Sequence, residues 1–502
     1  MKPLLYSILI LLTLFSLYLS SSSVRHNEVN FFNDVARDFL LLHELDEKKI
    51  VFIGPRSSTN GLFHGPLWTY INYPSYMIGS GNPIAVAWFW IILEVIFLLT
   101  SFFMIKKLLG IFPAFVFTAL ISSRMALHIN GVFHSEAIFF FIPFFFFSIC
   151  MYAKSKKKLY LALHMLAIAI LIQLNVGIGI QFLIISALFI FGFMIKHKLY
   201  RHFISFFLLP VFLFNFILFD FRHDFGMAKA LFSTGISSKF FISIQSFIEN
   251  RINNTISMQI FEQNSGNTTI NYIIFAFIVF FTFLQIKNTD KHRYIYFLSA
   301  FYYFGYMLLS IFNKGILLFH YVYLVIPLTT LWLVSFLATK YKLIFLPLIA
   351  IVFFANFNNV RGQIEAQGSY AGNTVNSWKG LSRVASEVIT LQKGKEFGYF
   401  VFAPDALAYQ PRYAMIYNFK KAHAKAFEYS KKSTTYIIAA PPPANDPYMT
   451  HVWWRKVPVG ISSDPVETKK FPNGFTIEKF NLTEEEQRIP HDKAIELGIH
   501  FR

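Results

Sequence analysis

The chain has 502 residues, of which 55% are apolar and only 14% are charged. An average soluble domain carries about 25% charged residues, so the composition excludes an ordinary soluble enzyme. The net charge of +18 does not indicate nucleic-acid binding, because the basic residues lie in short clusters between apolar runs and form no continuous basic stretch. The single cysteine, Cys150, excludes an intramolecular disulfide. A polytopic membrane protein is the class that remains.

Apolar runs long enough to span a bilayer predict eleven transmembrane helices. They lie at 3–20, 84–104, 111–127, 136–153, 159–175, 177–195, 203–219, 270–286, 294–312, 316–336 and 343–358. With the N-terminus in the cytoplasm, every basic cluster falls on the cytoplasmic side, as the positive-inside rule requires. We therefore expect a multi-pass membrane protein with a cytoplasmic N-terminus. Residues 1–20 also fit a signal peptide, and its cleavage would leave the rest of this topology unchanged.

Three segments are predicted to be extracytoplasmic: a first loop at 21–83, a middle loop at 220–269, and the region from 359 onward. The last contains strand-like runs at 397–403, 435–440 and 475–480, separated by Pro- and Lys-rich stretches. The sequence thus predicts a transmembrane domain at 1–358, which includes the first extracytoplasmic loop. It predicts a small soluble α/β domain, exposed to the extracytoplasmic side, at 359–502.

The first loop opens with an acidic stretch, DVARD. Asp34, Arg37 and Asp38 are spaced i, i+3 and i+4, which places them on one face of a helix, with Val35 and Phe39 on another. This spacing predicts an amphipathic helix at the membrane interface. A solvated face with an internal Asp–Arg pair is the alternative interpretation. Spacing alone does not decide between a catalytic and a structural role.

The same loop ends in the stretch NGLFHGPLWTY, residues 60–70, which is too apolar for a linker and too rich in Gly and Pro for a membrane span. Gly65 permits close backbone approach, and Pro66 fixes φ where the chain turns back toward the membrane. Trp68 and Tyr70 are predicted to anchor this turn at headgroup depth.

These elements together resemble the GT-C glycosyltransferases, in particular the protein O-mannosyltransferase and aminoarabinose-transferase group. The resemblance is carried by DVARD at 34–38, IGPRSST at 53–59, HGPLWTY at 64–70 and GNP at 81–83, in that order. Weaker similarities occur at 122–130, 171–175 and 319–327. The chain departs from the group in two places: His64 stands near the position of a second acid, and Asn33 precedes Asp34 where an acidic pair is common.

The resemblance implies transfer of a sugar from a polyprenyl-phosphate donor to an extracytoplasmic lipid, glycan or protein, by a single inverting displacement. It implies an enzyme of the bacterial inner membrane whose catalytic domain is 1–358, with the active site in the first loop at 21–83. It implies no metal and no cofactor beyond the lipid-linked donor. Asp34 would be the base that takes the acceptor's proton, with Asp38 and His64 also at the catalytic centre. The developing phosphate charge calls for cations, for which the candidates are Arg56, Arg124, Lys314 and His320. Positioning roles are expected for Arg37, Gly65, Pro66, Tyr70 and Gln173.

Three other functions are compatible with a polytopic protein. A transporter or a lipid-linked saccharide flippase is the principal alternative, although the sequence lacks the half-to-half repeat that many transporters show. A non-catalytic scaffold or sensor would leave DVARD and HGPLWTY without a purpose. A membrane ligase would usually place its key loop late in the chain. The sequence identifies neither the sugar nor the oligomeric state.

Overall fold

The computed structural model describes residues 2–57, 61–233, 244–260, 268–287, 292–312, 319–322, 325–392, 394–405, 407–447 and 449–496. The chain forms two compact units. The helical unit comprises Met1–Ser21, Ile50–Ile71 and Phe89–Ile364. The mixed unit comprises Ser22–Lys49, Asn72–Trp88 and Glu365–Arg502. The first predicted loop therefore contributes to both units.

Helices occupy most of the described residues of each of the eleven predicted spans. Apart from the helices of the first loop, the α-helices described between residues 2 and 370 are Lys2–Ser20, Pro83–Leu109, Ile111–His128, Ile142–Ser155, Lys158–Leu174, Val176–His197, Leu208–Phe212, Phe214–Arg222, Gly226–Ser233, Ile244–Ile260, Thr268–Lys287, Arg293–Leu309, Phe319–Val322, Ile326–Ser335 and Lys342–Tyr370. Short 3-10 segments lie at Ile129–Gly131, Glu136–Phe140, Tyr200–Phe207, Ser310–Phe312 and Phe336–Ala338.

Within the described residues, five helical stretches are long and apolar enough to cross a bilayer: Pro3–Ser20, Pro83–Leu109, Glu136–Ser155, Val176–His197 and Lys342–Glu365. A sixth is added if the pair at 200–222, bent by 52°, counts as one span. Four further apolar stretches are 10 to 17 residues long: Ile111–Ala126, Lys158–Leu174, Asn271–Lys287 and Ile326–Ala338. These helices indicate a multi-pass membrane protein, and the number eleven stays a prediction.

The predicted spans 159–175 and 177–195 are two helices joined by a tight turn at Asn175, named the helix break here. Asn175 adopts an extended conformation (φ −152°, ψ 104°), and its side-chain oxygen accepts a hydrogen bond from the N–H of Ile178. Gly179 lies so close to the preceding helix that a Cβ there would come within 2.4 Å of the backbone nitrogen of Ile172. Asn175 therefore caps the second helix, and Gly179 lets the two helices pack against each other.

The mixed unit contains the predicted α/β domain. Its five strands are β1 (Phe397–Phe402), β2 (Ala426–Glu428), β3 (Thr434–Ala439), β4 (Glu467–Lys470) and β5 (Thr476–Asn481), in the order β2-β1-β3-β5-β4. β1 pairs in parallel with β2 and β3, and β5 pairs antiparallel with β3 and β4. The predicted strands are β1, β3 and β5. The two edge strands are short and β4 is wholly exposed, so they lack the apolar pattern that marks a strand in sequence.

Helices cover this sheet and extend from the first loop. They are Ser22–Arg25, Asn33–Lys48, Trp378–Gln392, Tyr409–Lys421, His451–Trp454 and Glu484–Arg488, while Leu67–Ile78 belongs partly to each unit. Asn33–Lys48, named the acidic helix here, packs against Tyr409–Lys421. Its apolar residues Val35, Phe39 and Leu42 are fully buried. The apolar face expected at the membrane interface is therefore covered by protein.

Candidate functional site

The acidic helix presents two carboxylates that share one guanidinium. Nη1 of Arg37 lies 3.0 Å from Oδ1 of Asp34, and Nη2 lies 3.2 Å from Oδ1 of Asp38. The Asp38 side chain is fully buried, whereas that of Asp34 is 51% exposed. The i, i+3, i+4 spacing thus brings the three predicted residues together, as expected for one helix face. Asp34 is the carboxylate that a substrate could reach, and Asp38 is part of the protein interior.

Further along the acidic helix, the surroundings shift the pKa values of two titratable groups. Burial lowers the pKa of His43, while the nearby carboxylate of Glu47 opposes this shift. Burial acts to raise the pKa of Asp46, but hydrogen bonds from Lys49 and Tyr73 hold it below its usual value. The last turn of the helix is therefore held by ion pairs within the acidic segment and by a hydrogen bond from Tyr73 of the Leu67–Ile78 helix.

The HGPL turn, residues 64–67, is bound to the helix break in the helical unit. Nδ1 of His64 accepts a hydrogen bond from the N–H of Val176 at 3.2 Å. The N–H of Gly65 donates to the carbonyl oxygen of Gln173 at 2.7 Å. His64 is buried and its ring lies 4.9 Å from that of His134. Because the donor at Nδ1 is a backbone N–H, neutral His64 carries its proton on Nε2.

Gln173 connects this turn to a later helix. Its Nε2 donates to the carbonyl of Phe212 at 3.0 Å and to Oδ1 of Asn215 at 2.5 Å. Nδ2 of Asn215 donates in turn to the carbonyl of Phe52 at 2.8 Å. The two backbone carbonyls fix the orientation of both amides. Sequence reasoning missed Asn215; an isolated amide inside the apolar run 203–219 was the available signal.

The aromatic residues of the turn differ in their environment. The hydroxyl of Tyr70 donates to the carbonyl of Val51 at 2.9 Å and accepts from its N–H at 3.0 Å, while the ring is partly exposed. Trp68 is 1% exposed. The prediction of a headgroup anchor is therefore wrong for Trp68, because the turn folds its indole into the protein. Through its two hydrogen bonds, Tyr70 connects Val51, which follows the acidic helix, to the turn.

A cavity of about 490 Å³ opens beside the turn, within the helical unit. Its wall includes Pro66, Tyr70 and Gln173 from the predicted site, together with Asn215. The remaining lining is apolar and consists of Ile50, Val51, Phe52, Leu67, Leu166, Ala169, Ile170 and Phe212. An apolar cavity of this size with a few amides at one side suits an amphipathic ligand.

The four predicted phosphate-binding cations differ in their surroundings and in whether the structure describes them. Arg56 is exposed on the strand-like segment that pairs with Phe63. Arg124 is buried, and its Nη1 donates to Oγ1 of Thr330 at 3.3 Å. Lys314 and the side chain of His320 lie outside the described residues. Among the residues that are described, no three His, Cys, Asp or Glu side chains are grouped as metal ligands would be.

Of the predicted site residues, His64, Gly65, Pro66, Tyr70 and Gln173 thus form one cluster in the helical unit. Asp34, Arg37 and Asp38 form a second cluster in the mixed unit.

No protein-family model and no curated protein sequence matches the chain. Among solved structures, ArnT (aminoarabinose transferase) from Cupriavidus metallidurans in the apo state is similar, with a TM-score of 0.62 and 9% identity, over 95% of this chain and 97% of that one. ArnT bound to undecaprenyl phosphate is similar with a TM-score of 0.61 and 10% identity, over 95% and 98%.

The chain has a GT-C fold. An oligosaccharyltransferase from Archaeoglobus fulgidus also matches, with a TM-score of 0.46 and 11% identity over 86% of this chain and 68% of that one. The GT-C fold confirms the predicted fold class of apolar helices followed by a small α/β region. Because identity to ArnT is 9–10%, the likeness identifies the fold and leaves the reaction to be argued from the residues.

Proposed function

We propose that the protein is an integral-membrane glycosyltransferase that moves a sugar from a polyprenyl-phosphate donor to an extracytoplasmic acceptor. The observation that carries this proposal is the likeness to ArnT across 95% of this chain and at least 97% of that one, transmembrane and soluble parts included. One of the two ArnT structures has undecaprenyl phosphate bound. Fold alone does not assign chemistry, so the proposal also needs a donor site and a base.

The cavity in the helical unit supports a lipid-linked donor. Eight of its twelve lining residues have aliphatic, alanine or phenylalanine side chains, and Pro66 adds a ninth apolar surface. Burying an isoprenoid chain against such a wall is favourable by about 25 cal/mol per Å² of apolar area. None of these twelve residues is charged, so we assign the cavity to the apolar chain and assign the phosphate to a cationic region elsewhere.

The base is assigned to Asp34. In the proposed step the acceptor nucleophile attacks C1 of the sugar, the bond from C1 to the phosphate oxygen breaks, and polyprenyl phosphate leaves. The acceptor's proton passes to the Asp34 carboxylate. Arg37 keeps this carboxylate oriented by their 3.0 Å ion pair. Asp38, fully buried on the other side of Arg37, holds the guanidinium in place and has a positioning role.

Stabilisation of the leaving phosphate is assigned to Arg56, Lys314 and His320. Arg56 is exposed, and an arginine offers the two-pronged geometry that suits phosphate oxygens. Lys314 and His320 are assigned from the sequence alone. Arg124 is buried against Thr330, which favours a structural contribution.

The test is transfer from a panel of radiolabelled polyprenyl-phosphate sugars, measured as release of free polyprenyl phosphate from purified protein in lipid. The wild type should release it with one member of the panel. Asp34→Asn should lower the rate by about 10²- to 10⁴-fold, the usual contribution of general base catalysis. Donor binding should be unchanged, since Asp34 acts on the acceptor.

Asp46→Asn is the matched control, because Asp46 lies on the same helix and is also partly exposed. It should transfer at nearly the wild-type rate. Movement of intact donor across the bilayer, with the sugar–phosphate bond preserved, would instead identify a transporter or flippase. If Asp34→Asn turned over at the wild-type rate, Asp34 would not be the base, but the assignment of the protein as a glycosyltransferase would be unaffected.

A further inference from the structure

A carboxylate that sequence reasoning passed over binds the segment in front of the acidic helix to the C-terminal domain. Oε2 of Glu28 accepts hydrogen bonds from the N–H of Gly372 at 3.1 Å and from the hydroxyl of Ser377 at 2.5 Å. Its Oε1 accepts from the N–H of Lys379 at 3.4 Å. Lys379 lies in the first turn of the Trp378–Gln392 helix, where the helix dipole favours a negative charge.

The backbone that follows Glu28 continues this attachment. The N–H of Phe31 donates to the carbonyl of Asn376 at 2.7 Å, and the N–H of Trp378 donates to the carbonyl of Val29 at 3.3 Å. Nε2 of Gln410 donates to the carbonyl of Phe31 at 3.0 Å. Residues 28–31, named the strap here, are therefore held along their length by residues 372–410.

An aromatic cluster joins the strap to the acidic helix itself. Phe31 is fully buried, and its ring centre lies 4.9 Å from that of Trp378, 5.6 Å from that of Tyr413 and 5.4 Å from that of Phe39. Phe39 belongs to the acidic helix and also contacts Tyr413, at 5.4 Å. Asp34 lies in the first turn of that helix. This turn follows the strap, which is held by hydrogen bonds and by the aromatic cluster.

We propose that Glu28 is a positioning residue for Asp34, and that the strap makes the C-terminal domain part of the catalytic apparatus. This inference rests on the function proposed above. The domain's residues 372–410 would set where the Asp34 carboxylate stands, and Glu28 would be the charged contact that fixes the strap. The domain was expected from the sequence only as an extracytoplasmic appendage.

The physical reason is the sensitivity of proton transfer to geometry. A base must lie within hydrogen-bond reach of the proton it takes, and misplacement by about 1 Å can cost about 10²-fold in rate. Asp34 is half exposed and forms its ion pair with Arg37 of the same helix. Its position in space therefore follows the position of the helix, which the strap and the aromatic cluster set.

The experiment compares Glu28→Gln with Glu484→Gln in the full-length protein. The amide at position 28 would turn an NH₂ group toward backbone N–H donors and weaken the strap. We expect kcat to fall by about 10- to 100-fold with little change in KM for the donor. Glu484 lies on a surface helix, and its ion pair with Arg488 is largely exposed to solvent, so Glu484→Gln should leave both constants unchanged.

A double variant separates positioning from mere stabilisation. If Glu28 acts through Asp34, then Glu28→Gln combined with Asp34→Asn should be no slower than Asp34→Asn alone, because there is no base left to misplace. Should Glu28→Gln fail to fold, Ser377→Ala and Gln410→Ala test the same attachment, with smaller expected losses in kcat.

Three results overturn the inference. The first is a kcat within about twofold of wild type for Glu28→Gln or for both substitute variants. The second is a loss in the double variant that multiplies the two single losses. The third is full activity of Asp34→Asn, which removes the group being positioned. Absence of sugar transfer by the wild type from every donor in the panel would overturn the proposed function itself, and is recognised separately.

Discussion

The acidic helix and the HGPL turn lie within 40 residues of each other in the chain and carry the two most recognisable motifs, yet their polar groups are used differently. On the acidic helix, Asp34 keeps half of its side chain exposed. In the turn, the Nδ1 of His64 and the N–H of Gly65 make hydrogen bonds to backbone groups of the helix break, and the side chain of Gln173 beside them donates to the carbonyl of Phe212. The helix thus offers a reactive group, and the turn offers a fixed shape.

This difference indicates what each motif requires. A motif that supplies chemistry depends on the identity of its exposed side chain, here Asp34, so a change of that side chain should alter the rate more than the stability. A motif that supplies shape depends on steric fit and on satisfied backbone groups, so a change there should alter stability first. The following three substitutions are given in order of decreasing effect on stability: the first removes the buried support of the acidic helix, and the other two test the turn.

The largest expected effect is that of Arg37→Ala on the acidic helix. Asp38 is fully buried and its carboxylate is bound by Arg37. Removing one partner of a buried ion pair leaves a desolvated charge and costs about 3 to 5 kcal/mol. We expect the free energy of unfolding to fall by about that amount, measured by thermal unfolding of the purified protein. Transfer should also fall, because Asp34 loses the cation that orients it.

Lys49→Ala provides the control for this prediction. Lys49 pairs with Asp46 at the end of the same helix, but its side chain is 69% exposed. An exposed pair contributes about 0 to 1 kcal/mol. If the two variants unfolded at the same temperature, the Arg37–Asp38 pair would not be holding the helix, and the positioning role given to Arg37 would have to be abandoned.

The next effect is that of Gly65→Ala in the turn. A Cβ at this position would lie 1.7 Å from Oε1 of Gln173 and 2.8 Å from its Cα. The second atom is backbone, so rotation of the Gln173 side chain does not remove the clash. Overpacking of this kind costs about 1 to 3 kcal/mol. Thermal unfolding of Gly65→Ala should show this loss.

Gly192→Ala is the matched substitution, because a Cβ at Gly192 meets no atom within 4 Å. It lies inside the Val176–His197 helix, where alanine is about 1 kcal/mol more favourable than glycine. It should therefore be neutral or slightly stabilising. Equal stability of the two variants would mean that the turn and the helix break are not in close contact.

The sequence predicted the helices and three of the five strands because their apolar patterns are long or regular. It also predicted that Gly65 stands at a close backbone approach, since a glycine beside a proline in an aromatic turn commonly marks a place where only a hydrogen fits. It did not identify what approaches Gly65, because the contact with Gln173 joins residues that are far apart in the chain. Local periodicity contains no information about such a pair.

The same limit applies to the acidic helix. The spacing of Asp34, Arg37 and Asp38 correctly predicted one shared helix face, because i, i+3 and i+4 are neighbours on any helix. The sequence predicts that this helix lies at the membrane interface, because an apolar helix face next to a membrane span most simply contacts lipid. The structure buries this face against Tyr409–Lys421, an element more than 350 residues later in the chain. Glu28 was overlooked for the same reason, because its partners are Gly372, Ser377 and Lys379.

The smallest expected effect on stability is that of His64→Ala, and it decides between the catalytic role predicted from the sequence and the structural role that the hydrogen bond to Val176 suggests. Nδ1 of His64 satisfies the N–H of Val176 at the start of a helix. Loss of a capping acceptor costs about 1 kcal/mol. If the role is structural, unfolding should shift by about that amount while kcat changes less than about threefold. His64→Asn, which retains an acceptor of similar reach, should restore part of the stability.

A fall in kcat of about 10²-fold in both variants, with stability near that of the wild type, would instead give His64 a catalytic role. The turn would then supply chemistry as well as shape, and the division drawn between the two motifs would be wrong.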